Sequence, residues 1–108
     1  MRVELDIFSG RPNPVWELDA PGSTALVTRL ASLSEHAPGA VELQGLGYRG
    51  FVFHSETHTG RAWRGFIDTN GRTLYDPTFA VERLLTSHLP DIWQGVRTIV
   101  ERILLGSE

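Results

Sequence analysis

Two short stretches of the chain bring together residue types that do chemistry. The first is "SGRPNPVW", residues 9–16, which holds Ser9, Arg11, Asn13 and Trp16. An arginine fork meets a carboxylate or phosphate through two parallel hydrogen bonds. Ser9 and Asn13 add hydrogen-bonding groups, and Trp16 adds a flat apolar wall. Pro12 and Pro14 fix φ at two positions and push Arg11 and Asn13 toward extended geometry, so the loop gives up little entropy when it binds. The pattern suits a small anion or a peptide carboxylate. An architectural reading competes with it, in which Arg11 and Asn13 bond the loop's own carbonyls and Trp16 fills the core.

The second stretch is "HSETH", residues 54–58. On an extended strand His54, Glu56 and His58 project to one face. Two imidazoles and a carboxylate so placed can hold a divalent metal with open positions. Without metal, Glu56 beside His54 can work as a general acid–base pair. Against this, "ETHTG" has the composition of a turn, which would splay His58 away. A third group, Arg49, Arg61, Arg64 and Arg72, lies among aromatic residues including Tyr48 and Trp63. Only Glu56 and Asp68 oppose it between residues 45 and 75. An excess of two charges releases few counterions, so no nucleic-acid partner is expected.

The elements that must position these residues follow from hydrophobic period. Val3, Leu5 and Ile7 alternate with polar residues as a half-buried strand does. "SGRPNP" breaks that strand, and "VWEL" is a short strand or an extended segment. A helix is expected from Ser23 to Leu33, with Ser23 as N-cap, and "SEHAPGA" as a surface connection after it. Between Tyr48 and Asp76 three strands are expected, "YRGFVFHSE", "RAWRGFID" and "RTLYD". Turns at "THTG" and at Asn70-Gly71 join them. Asp76-Pro77 reads as the start of a helix that carries Val81, Leu84, Leu85 and an inward, hydrogen-bonded His88. Beyond Pro90, Ile92, Val96, Ile99, Val100 and Ile103 form the stripe of a last helix, with Trp93 beside it as a core or subunit contact. The expected fold is α+β: one domain over residues 1–108, with a small antiparallel sheet of about four strands packed by three helices. The order is β-(β)-α-β-β-β-α-α.

In "FVF" and "GFI" apolar residues occupy both parities, so Val52 and Phe66 point opposite to Phe51, Phe53 and Ile67. Either helices cover both faces of the sheet, or the second face meets a ligand, a partner or a second copy in a homodimer.

"LDIFSGRPNPVWEL", "LGYRGFV" and "YDPTFAVERLL" together resemble a family of small uncharacterised proteins of bacteria and some fungi whose members begin with a strand–SGRPNP–tryptophan segment. The resemblance implies a small soluble domain and carries no catalytic residues.

Composition bounds the rest. The chain has 108 residues, 41% of them hydrophobic, enough for one core without metal or disulfides. It has no cysteine, which excludes thiol chemistry and disulfide scaffolds. All ten basic residues are arginine, and the net charge is −3. No signal peptide is expected from "MRVELDIF", which alternates charged and apolar residues, and no apolar run reaches the ~18 residues of a membrane span. A cytoplasmic protein is expected, with no cofactor and no membrane contact. The leading functional expectation is a non-catalytic domain binding a small anionic molecule or a protein partner through Ser9, Arg11, Asn13, Trp16 and a sheet face. The alternative is a small metal-dependent or acid–base enzyme using His54, Glu56 and His58.

Overall fold

Val3 and Leu5 are completely buried while Arg2 is exposed, as alternation requires, and they belong to strand β1 (Arg2–Leu5). The computed structural model describes residues 1–36 and 47–106. β1 pairs antiparallel with β2 (Val15–Glu17), setting Val3 opposite Trp16. On its other side it pairs with β4 (Phe51–His54), with Val3 opposite Phe53 and Leu5 opposite Phe51. β5 (Thr59–Trp63), β6 (Phe66–Thr69) and β7 (Arg72–Tyr75) continue as a meander. β3 (Ser34–His36) closes the far edge against β7. Among the described residues one antiparallel sheet thus has seven strands in the order β2-β1-β4-β5-β6-β7-β3.

The class is α+β, but a sheet of about four strands is wrong. "RAWRGFID" is two strands, because Arg64 and Gly65 both take positive φ (49° and 88°) and fold the chain back on itself. Nothing in "RG" carries the asparagine or aspartate that usually marks such a turn. Asn70-Gly71 does carry it, and makes the expected β6–β7 turn. Of the "SEHAPGA" connection, "SEH" is an edge strand whose partner is forty-one residues downstream, as Ser34 pairs with Tyr75, and residues 37–40 lie outside those described.

Three α-helices follow the expected order. The first, α1 (Ala20–Ser32), starts earlier than expected, because Asp19 rather than Ser23 caps it by accepting the Gly22 N–H at 2.7 Å. In α2 (Ala80–Ser87) the N-cap position is taken by Phe79 in the left-handed region. Asp76 instead accepts the Val81 N–H at 2.8 Å and the Arg29 guanidinium at 3.0 Å, which ties α2 to α1. A 3-10 turn (Asp91–Trp93) leads into α3 (Gln94–Leu104). Of the stripe expected there, Val100 is buried and Val96 and Ile103 pack partly against the core, whereas Ile92 is 84% and Ile99 51% exposed; Leu104 completes the buried line. His88 is half-buried at the end of α2, its Nδ1 2.9 Å from the Leu84 carbonyl oxygen.

Leu26 and Leu30 of α1, Val81 and Leu85 of α2, and Val100 and Leu104 of α3 join one core with Val3, Leu5, Phe51, Phe53, Ala62, Ile67 and Leu74. Those sheet residues share one parity, so the helices lie over a single face. Val52 and Phe66 are half-buried on the other face, which carries no helix among the described residues. No helix among them is long and apolar enough to cross a membrane.

Candidate functional site

The loop between β1 and β2 is closed by the Leu5 N–H bonding the Pro14 carbonyl at 3.0 Å. Asn13 then organises it from inside. Its Oδ1 accepts the N–H groups of Ile7 (3.1 Å) and Phe8 (2.8 Å), and its Nδ2 donates to Glu4 at 3.0 Å. Asn13 therefore has an architectural role, as has Trp16. The indole is 8% exposed and meets Phe51 edge-on with ring centres 6.2 Å apart.

Arg11 behaves differently. It is exposed, and its guanidinium lies 3.7 Å above the centre of the Phe8 ring. Phe8 in turn leans on Trp93 at 6.1 Å. No carboxylate or carbonyl engages the Arg11 guanidinium among the described residues, so its hydrogen-bonding edge faces outward. Ser9 is exposed on the same loop.

The helix-free face of the sheet carries two side-chain groups. In the first, Asp6, 7% exposed, accepts from Arg49 at 3.0 Å and from Arg61 at 2.7 Å, while Arg61 also donates to the Arg49 carbonyl at 2.9 Å. Burial would raise the Asp6 carboxyl, but the hydrogen bonds and charges of the two arginines outweigh it and hold it below 3.8. In the second, the rings of His36, Phe66 and Tyr75 cluster, with centres 5.2 Å apart for His36–Phe66 and for Phe66–Tyr75. The basic group is thus largely neutralised: Arg49 and Arg61 share Asp6, and Arg72 pairs with Glu35 at 2.6 Å.

His54, Glu56 and His58 are not brought together. His54 ends β4 with its Nδ1 3.3 Å from the Thr59 hydroxyl, and with Glu56 it borders an open depression beside Met1, Arg2 and Glu17. His58 bonds Thr57 at 2.8 Å and lines a different hollow of about 190 Å³ against Val27 and Leu30 of α1. The turn at residues 55–57 separates them. Among the described residues no three histidine, aspartate or glutamate side chains converge as a metal site.

The most buried polar cluster escaped the sequence reading. Glu82, 1% exposed, accepts the hydroxyl of Tyr48 and the backbone N–H groups of Gly65 (2.8 Å) and Arg64. It bolts the β5–β6 turn onto α2. Burial pushes the Glu82 carboxyl up, and the Asp76 charge adds to this against the lowering by its three donors. Burial and the Glu82 charge push Tyr48 well above its usual range. One signal was available: Glu82 precedes Leu85, Thr86 and Leu89 at the spacing of an inward helical face. With every donor matched to an acceptor, the cluster is a structural lock.

Comparison with family models, with curated proteins and with solved structures gives no match.

Proposed function

We propose that this protein is a non-catalytic binding domain that receives the anionic group of a small molecule or of a partner protein at Arg11. The observation that carries the reading is the Arg11 guanidinium stacked on Phe8, its donors unengaged by any described residue, on a loop pinned by Asn13. A pre-positioned fork loses little freedom on meeting a carboxylate or phosphate, and the ring beneath it leaves its edge available. Ser9 adds a hydroxyl beside it. The helix-free sheet face, with Phe66, Tyr75 and His36, offers a second, flatter surface to a larger partner. Trp16 and Asn13 hold the loop's shape and do not touch the ligand.

Amide NMR spectra titrated with inorganic phosphate, and separately with succinate, test this. Saturable shifts confined to residues 8–13 are expected, and they should vanish in Arg11→Ala while the remaining spectrum is unchanged. Absence of saturable shifts with both anions, or shifts that persist in Arg11→Ala, overturns the reading.

A further inference from the structure

The last helix and the turn before it carry a row of branched aliphatic residues, of which Ile92 and Ile99 face water. Val96, Ile99 and Ile103 follow one another at helical spacing, and Ile92 in the preceding 3-10 turn continues the row. Ile92 and Ile99 are 84% and 51% exposed, while Val96 and Ile103 turn one side to the core and the other outward. The row lies beside the core line of Val100 and Leu104, on the flank away from α2. Across the helix, Glu101, Leu104 and Leu105 border the groove shared with Arg83, Thr86 and Ser87 of α2. The exposed flank therefore holds no carboxylate between its two ends. Gly95 sits next to the row, and a Cβ built there meets nothing within 4 Å, so another backbone can come close.

We infer that this ridge is the contact between two copies of the chain, packed with their α3 helices antiparallel about a two-fold axis. The arrangement is self-complementary. Ile92 of each copy meets Ile103 of the other, and Val96 of each meets Ile99 of the other. Charge complements it: Asp91, whose side chain is fully exposed, and Arg102, also exposed, flank the row at opposite ends. Antiparallel packing sets each Asp91 beside the other copy's Arg102. Asp91's partner within its own chain is Arg97 at 3.9 Å, a distance that holds it loosely. Parallel packing would oppose Asp91 to Asp91 and Arg102 to Arg102. The eleven residues of α3 span about 16 Å, a small contact, so a weak, reversible dimer is expected. This surface does not use Arg11, and its test is independent of anion binding there.

Sedimentation equilibrium of the whole chain from about 10 µM to about 1 mM is the measurement. The mass should rise from one chain to two. Ile92→Ser with Ile99→Ser, both at exposed positions, should weaken association about tenfold while the thermal melt of dilute protein stays in place. Asp91→Arg and Arg102→Asp should each weaken it severalfold, and the double swap should restore it. A monomer throughout the range, an unchanged curve for the double serine variant, or a charge swap that fails to rescue overturns the inference.

Discussion

Tyr48 donates its hydroxyl proton to Glu82 inside the core, joining positions thirty-four residues apart and shielded from water. The carboxylate also takes the backbone N–H groups of the Arg64-Gly65 turn, so one side chain holds a hairpin, a helix and the Tyr48 segment together. Glu82→Ala would strand the buried donors of Tyr48 and Gly65 and should lower stability by about 3 kcal/mol in urea unfolding.

The pH dependence of the same group has a definite sign. The folded-state value of Glu82 is raised above 4.5. Its contribution is therefore complete below 4.5 and declines as pH rises through the raised value. Unfolding free energies measured upward from that pH should fall across this window in the wild-type protein. In Glu82→Gln that fall should disappear.

Asp6 works in the opposite direction. Its folded-state value lies below 3.8, so its stabilisation is present above 3.8 and is lost as pH falls through the lowered value. Asp6→Asn should flatten the acid limb of the stability curve. At neutral pH it should cost about 1 kcal/mol, because Arg49 and Arg61 are 37% and 28% exposed and water screens the pair.

Asn13 and Arg11 share a loop but should respond differently to alanine. Asn13→Ala leaves the Ile7 and Phe8 amides unbonded and should cost about 1–2 kcal/mol, with broadened signals across residues 7–13. Arg11→Ala removes an exposed cation and should shift stability by less than about 0.5 kcal/mol. Thermal melts of the two variants separate the support from the surface it presents.

Gly50 gives a steric test. Its φ is +88°, and an added Cβ would lie 2.0 Å from the Ala62 carbonyl oxygen. The indole N–H of neighbouring Trp63 reaches past this bare position to the Tyr48 carbonyl at 3.2 Å. Gly50→Ala should destabilise by about 3 kcal/mol or more, whereas Gly10→Ala, strained in φ but with open space around it, should cost about 1 kcal/mol. Parallel denaturation curves decide between them.

What could be read ahead of the structure followed local period and turn chemistry. β1 and the Asn70-Gly71 turn were legible because alternation and an asparagine–glycine pair act over a few residues. The Arg64-Gly65 turn was not, because a carboxylate from α2 stabilises it from outside its own sequence. β3 was missed for a similar reason: "SEH" has no strand character until β7 lies beside it. In the last helix the apolar spacing picks out Val96, Val100 and Ile103, which do pack on the core, but not the difference between Ile92 and Ile99, which face water, and Leu104, which does not, since only packing against the core separates adjoining aliphatic rows. At the loop, Asn13 and Trp16 carried recognisable chemistry whose direction, inward or outward, depends on Phe51 and Glu4. Arg11 and Ser9 face outward, as binding residues would.

The far edge of the sheet has a consequence for synthesis. Ser34–His36 leaves the ribosome before Arg72–Tyr75, the segment it zips onto, has been made. The nascent chain can form the β1–β2 hairpin and α1 and must then wait, with that edge unmated, until Tyr75 has been made. A chain stalled before Tyr75 would keep that edge unpaired, with its backbone donors and acceptors open to other strands.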